Sequence, residues 1–379
     1  MFYESNYDIF YLNSVFDAQN GEHFTKAYSY DDLINIFSKS TPPTNDKINE
    51  EILRYTTFFF SQNSSTNISV DDVNTIIEKY NIDICFYLGD AFVFHTNIGK
   101  QINVPNYYWF PCHYYPFSKE DYDGLKPFSN ILCLSPSIKL VLEKEFPQKQ
   151  IYYLPHITET IEIKETKQEI RKKWTIPNNK YIVLIVARLN EIVNRKAIDV
   201  HLIAFKKFND KYPNSFLFLQ SIVHASDKYT FPINELADEL KLTADNFLWQ
   251  KNVFQEEHLI ELYRLSDVLL SCSKAEGFGI PILEAQQYKL DVITSNFLSM
   301  AEHNFQNNVA EISCEIRHWG LNGNWTLPSS ENIANKLEEV YLAKQYESNK
   351  PIVKKAKWIV DELTSFNNVK KNIFKIMNL

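Results

Sequence analysis

The chain has 379 residues, beyond the roughly 250–300 at which a single core stops growing, so two domains are expected. Its 47 carboxylates against 39 lysines and arginines give a net charge of −8, which argues against non-specific nucleic-acid binding. Cys85, Cys112, Cys133, Cys272 and Cys314 are odd in number and lack C-x-x-C spacing, so neither a disulfide framework nor a zinc site is indicated and a reducing compartment is favoured.

No apolar run approaches the ~18 residues needed to span a bilayer. The amino terminus lacks the basic and apolar regions of a signal peptide. The expectation is a soluble, cytoplasmic protein without a transmembrane segment.

Short apolar runs rich in β-branched and aromatic residues alternate with helical patterns along the chain, which predicts parallel α/β layers. In the first half strands are expected near 9–13, 57–60, 82–88, 106–112, 131–134 and 151–154. The segments 38–49, with Pro42-Pro43, and 62–69 read as surface loops. His95 falls within an expected helix. The acidic stretch Lys119-Glu120-Asp121-Tyr122-Asp123 is expected to be a loop, and its single Asp-x-Asp is a weak pointer to a metal. A polar stretch from Thr158 to Glu169 is the best candidate for a crossover, placing a domain boundary near 158.

In the second half strands are expected at 181–187, 215–220, 247–250, 267–270 and 291–294, with helices at 197–208, 232–240, 255–265 and 281–288. A final helix is expected near 366–377.

The densest signal is Glu276-Gly277-Phe278-Gly279-Ile280-Pro281-Ile282-Leu283-Glu284, which places two of only eight glycines within three residues. Gly-x-Gly ahead of a helix-starting Pro281 suits close backbone approach and positive φ, and the first-turn amides then face an anion. Glu276 and Glu284 flank those amides, and carboxylates suit neutral hydroxyls. A ligand with phosphates and hydroxyls, such as a nucleotide sugar, satisfies both.

In open parallel sheets ligands bind beyond the carboxyl ends of strands. Arg188 follows the run Val183 to Ala187, and the pair Arg195-Lys196 opens the next helix, so cations from one loop are placed to clamp a diphosphate. Surface salt bridging is the alternative reading of those cations. Glu284, one turn into its helix, is also ordinary dipole compensation.

The Glu276-x7-Glu284 motif around Gly-Phe-Gly-Ile-Pro, preceded by Val186-Ala187-Arg188-Leu189 and Arg195-Lys196, resembles glycosyltransferase family 4. The likeness continues through Phe254 to Tyr263 and through Ser295-Asn296 to Glu302. It implies a GT-B fold, two Rossmann-like doubly wound parallel-sheet domains facing across a cleft. Residues 1–157 would bind the acceptor and 158–360 the nucleotide sugar, with a terminal helix in 361–379 packing back on the first domain.

By the same resemblance Glu276 would bind donor-sugar hydroxyls, Glu284 the ribose, and Arg188 and Lys196 the phosphates. Gly277, Phe278, Gly279 and Ile280 would complete the diphosphate and sugar site, and the base would lie beside the strand end reaching Val253. Gly21, in Asn20-Gly21-Glu22-His23, matches half of a Gly-Gly loop near the donor phosphate, and a plain helix-start glycine is the alternative. His113 matches a histidine near the transferred sugar. Tyr114 and Tyr115 after it are candidates for an aromatic acceptor platform.

Ala187, Ala197 and Lys289 stand where the family commonly has glycine. The expected reaction is transfer of a hexose, first UDP-glucose, to a sugar or glycan hydroxyl with retention, UDP being favoured over GDP and no cofactor or metal being required. A nucleotide-sugar epimerase, a phosphorylase or a non-catalytic sugar-nucleotide-binding module are the alternatives.

Overall fold

The structure is a computed structural model that describes residues 9–13, 56–60, 68–89, 94–95, 101–112, 114–158, 160–189, 194–222, 231–251, 256–318, 323–346 and 350–378. By contact the chain divides into one unit of Met1–Trp109 with Lys119–Ile131 and another of Phe110–Ser118 with Leu132–Leu379. The functional division expected at residue 158 does not coincide with it.

In the first unit every described strand pair is parallel. Strand β1 (Ile9–Asn13) pairs with β2 (Thr56–Phe60), β3 (Ile68–Ser69) with β5 (Phe94–His95), and β4 (Cys85–Leu88) with β6 (Asn106–Phe110). Helix α1 (Val70–Tyr80) buries Val70, Val73, Ile76 and Ile77, one stripe at helical spacing. Asn106 fixes the entry to β6: its amide donates to Val104 O at 2.9 Å and its Oδ1 accepts from the Ser129 amide at 2.6 Å.

Two expectations are corrected in this unit. His95 lies on a strand, since the aromatic Phe94 and His95 pair with Ile68 and Ser69. The acidic stretch is helix α2 (Lys119–Leu125), in which Asp121 is buried and Asp123 is paired with Lys119 and Lys126. Its Asp-x-Asp is thereby occupied in local structure.

The second unit is organised by a six-stranded parallel sheet of β9 (Tyr181–Arg188), β10 (Ser215–Ile222), β11 (Phe247–Gln250), β12 (Val268–Ser271), β13 (Asp291–Ser295) and β14 (Val309–Ala310). Its spatial order is β11-β10-β9-β12-β13-β14. The first strand in sequence, β9, therefore sits mid-sheet with the second on one side and the fourth on the other. That arrangement defines a topological switch point between the ends of β9 and β12.

Period-2 alternation places Val183, Ile185, Leu217, Leu219 and Leu270 on one face, packed on α5 (Ile198–Lys211) and α10 (Ser330–Gln345). Ile182, Leu184, Phe218, Leu269 and Val292 take the other face, against α7 (Glu256–Leu265) and α8 (Ile280–Gln287). Both faces are covered, which is why these strands read as unbroken apolar runs. Helices α3 (Pro136–Glu145), between β7 (Asn130–Cys133) and β8 (Gln150–Tyr153), and α6 (Ile233–Glu239) complete the framework with α9 (Leu298–Glu302), α11 (Lys350–Thr364) and α12 (Phe366–Met377). An antiparallel hairpin, β15 (Ile312–His318) with β16 (Gly323–Pro328), follows β14.

The expected polar crossover ends sooner than Glu169. Thr166 and Glu169 form a capping box that starts α4 at Lys167 and carries it to Lys173. Helix α8 likewise begins one residue before Pro281, at Ile280.

Candidate active site

The loop after β9 and the loop after β12 meet at the switch point. Arg188 is the last residue of β9, and its side chain is exposed and forms no ion pair among the described residues. Helix α5 starts at Ile198, and Ala197 at its N-cap position has φ 50° and no capping side chain. Asn194 caps it instead: its Oδ1 accepts from Ile198 N at 3.1 Å and its amide donates to Asp199 at 2.7 Å. Arg195 and Lys196 lie between these two fixed points. The Lys274 amide donates to Arg195 O at 2.8 Å, tying the second loop to the first.

On the second loop Glu276 is the hub. Lys196 Nζ donates to its Oε1, Arg195 donates to its Oε2 at 3.3 Å, and Ser273 Oγ donates to Oε1 at 2.8 Å. The Ser299 hydroxyl holds the Glu276 carbonyl at 2.7 Å. Burial pushes the carboxyl up, but the Lys196 and Arg195 charges outweigh it and hold the pKa at about 2. Glu276 is therefore held ionised at neutral pH.

Gly277 is needed for close approach, because a Cβ there would lie 3.1 Å from Pro111 O. Gly279 is needed for its conformation: φ is 83° at the N-cap of α8, and a Cβ would meet Ile282 Cδ1 at 2.7 Å. Between them the Phe278 ring is buried edge-on to His156 and His303, with centroids at 5.0 and 4.6 Å. His303 Nδ1 donates to Phe278 O at 2.8 Å, while its Nε2 lies 3.1 Å from the Tyr153 hydroxyl. Burial lowers both histidines to about 4, so the neutral tautomer is maintained.

Glu284 sits deeper on α8, where it accepts from Tyr263 OH at 2.7 Å and burial raises its pKa. Ile280, by contrast, is exposed. Beyond β11, Lys251 Nζ stands 3.8 Å from the Trp249 ring centroid, and Trp249 Nε1 donates to Ser221 at 2.7 Å. Gly21, His113 and Val253 lie outside the described residues.

The aromatic platform needs correcting at Tyr114. This side chain is buried with Ala275 and Trp325, and β16 passes so close that a Cβ on Gly323 would lie 2.2 Å from its Cδ2. Tyr114 is thus core beneath the Glu276 loop. Tyr115 is half-buried, donates to Glu145 at 2.9 Å and bridges to Asn324.

Arg195, Ser273, Ser299, His156 and His303 contact the Glu276–Gly279 loop and were not assigned individually from the sequence. Ser273 three residues before Glu276 was a legible signal, since that spacing suits a short-range side-chain bond. The histidines act across long separations and carried none. Among the described residues no group of three or more His, Cys, Asp or Glu side chains is placed to hold a metal.

The family model for Glycosyl transferases group 1 matches residues 166–358, just over half of the chain. The chain belongs to this family. A curated relative in sequence is the serotype-specific mannosyltransferase WbdA of Escherichia coli, 37% identical over 93 residues, 22% of this chain. The match takes in 11% of WbdA, so the chain spans about a tenth of that relative's length.

Among solved structures, a glycosyltransferase from Rickettsia africae superposes with a TM-score of 0.62 at 17% identity, covering 91% of this chain and 86% of that one. Anabaena HepE, crystallised with UDP and glucose, gives 0.64 at 14% identity, covering 98% and 99%. Sucrose-phosphate synthase from Thermosynechococcus elongatus gives 0.64 at 14% identity, covering 100% of this chain and 90% of its own. This family member accordingly has the GT-B fold, built from two Rossmann-like domains.

Proposed function

We propose that the chain is a retaining glycosyltransferase of family 4 that moves a hexose from a nucleoside-diphosphate sugar to a sugar or glycan hydroxyl. The observation that carries this reading is the carboxylate of Glu276, held by Lys196 and Arg195 at the amino end of α8 and at the switch point of the sheet. Cations there suit a diphosphate, and a carboxylate kept ionised suits sugar hydroxyls. Both halves of a nucleotide sugar thus have partners of the right chemistry within one cluster.

In this reading Arg188 and Lys196 stabilise the charge that builds on the departing diphosphate, while Glu276 orients the sugar. The acceptor oxygen bonds to the anomeric carbon as the bond to the β-phosphate oxygen breaks. That oxygen takes the acceptor's proton. Gly277 to Ile280 and Glu284 serve the donor, with Gly21 and Val253; His113 and Tyr115 serve the acceptor. Residues 1–157 carry the acceptor and 158–360 the donor, and no metal takes part.

UDP-glucose is the first donor to test. A mannosyl donor is the second, favoured by the name of the WbdA relative. Incubation with a panel of UDP- and GDP-sugars should release nucleoside diphosphate from one of them, and Arg188→Ala and Lys196→Ala should each slow that release at least ~10-fold. Unchanged turnover in both variants, or binding without any release, would sink the assignment.

A further inference from the structure

We infer that the outward face of α11 is a docking surface for an anionic lipid bilayer. Helix α11 buries Val353, Ala356, Val360 and Thr364, which at 100° per residue form a single stripe. The opposite side carries Pro351, Lys354, Lys355, Trp358 and Glu362, all exposed. Trp358 lies at the centre of that side and is 64% exposed.

Ile352 on the same helix is 48% exposed, and Tyr346, four residues before the helix, is 80% exposed. Ile352 and Trp358 are two of the eleven large apolar side chains exposed among the described residues, and Leu342 and Tyr346 precede them in the chain.

Charge favours the same helix. Residues 350–364 contain four lysines against Asp361 and Glu362, a net +2, whereas the whole chain carries −8 and the rest of it therefore −10. Asp361 is paired with Lys357 at 2.5 Å, and the Asn368 amide reaches the Glu362 carboxylate at 3.4 Å. Lys354 and Lys355, one turn before Trp358, form no ion pair among the described residues.

A basic helix face centred on an exposed tryptophan matches the interfacial zone of a bilayer, where the indole sits at headgroup level and lysines meet anionic lipid. The lipid field dies away within a Debye length, so a local basic face can engage it although the chain is acidic overall. An extended polyanion such as nucleic acid would meet the acidic remainder. No described helix is long and apolar enough to cross a membrane, so the attachment is to the surface. The inference is independent of whether the chain transfers a sugar.

Co-sedimentation of the full chain with vesicles tests it. The protein should pellet with vesicles of phosphatidylglycerol and phosphatidylcholine in about equal parts, and not with phosphatidylcholine alone; binding should fade as salt approaches roughly 0.5 M. The double variant Lys354→Gln/Lys355→Gln should lose roughly 10- to 30-fold in partitioning, and Trp358→Ala about tenfold. Circular dichroism checks that each variant is folded. The lysine pair keeps the test decisive if Trp358→Ala does not fold.

No pelleting with the anionic vesicles overturns the proposal, as does equal pelleting with neutral ones or undiminished binding by the lysine variant. So does a dimer in sedimentation velocity that Trp358→Ala dissolves while vesicles are ignored, since the occupant would then be a second copy of the chain.

Discussion

Gly279 and Lys289 both sit in left-handed backbone, at φ 83° and 60°, at opposite ends of α8. Gly279 meets that geometry without strain, so Gly279→Ala should cost about 1–2 kcal/mol in urea unfolding, from the backbone conformation and the contact with Ile282. Lys289→Gly should move the other way by up to about 1 kcal/mol, because a helix ending of this kind favours glycine. Equal midpoints for the two variants would contradict this account. Ala197 and Lys289 were marked in the sequence as places where related chains have glycine, and both adopt positive φ. Tyr114 was misread because a ring after a strand end looks the same whether it faces solvent or β16, and the hairpin that covers it had no clear signature.

At the level of elements, the buried stripes were legible. Strands β1 and β11 and helix α12 fall on the expected residues, and most other strands within one or two. The hairpin β15–β16 and helices α10 and α11 were not placed in advance, because their apolar residues are spread among polar ones and their partners are distant in sequence. What anchors the elements at the amino-terminal end of the strands, opposite Glu276, is also long-range. Asp267, at the start of β12, accepts from Arg171 and Lys167 at 2.6 Å each and from the Ile182 amide at 2.8 Å. Burial opposes its ionisation, yet Lys167, Lys344 and Arg171 keep its pKa below the usual carboxylate range. Asp267→Ala should therefore destabilise the fold by about 3–5 kcal/mol, because it strands the buried Arg171 charge. Denaturant titration reads this directly, and a loss under about 1 kcal/mol would contradict it.

For the molecule as a whole, three buried histidines and Glu276 point in one direction, while Glu284, raised by burial, opposes them. His156 and His303 are held neutral at about 4 and His201 at about 3, all by burial. Glu276 is held at about 2. Each of these histidine and Glu276 pKa values lies below its unfolded value, so in acid these groups bind more protons in the unfolded chain than in the folded one. The histidine contribution is complete above about pH 6.5 and is lost as pH falls toward 4; the Glu276 contribution is complete above about 4.5 and is lost toward 2. Stability should fall by several kcal/mol, as an order of magnitude, between about pH 7 and 5. A flat melting temperature over that window would refute the histidine assignments. Long-range burial of this kind was not readable from spacing, since His156, His201 and His303 lie on three separate segments.

The contact of Lys196 and Arg195 with Glu276 has a consequence for turnover under the proposed reading. A complete donor replaces both halves of the contact, offering phosphate to the cations and hydroxyls to the carboxylate. A spent nucleotide offers only the phosphate, and by holding Lys196 it leaves a buried carboxylate short of a partner. Re-formation of the ion pair would then expel the product, making the resting site its own release mechanism and keeping product inhibition weak.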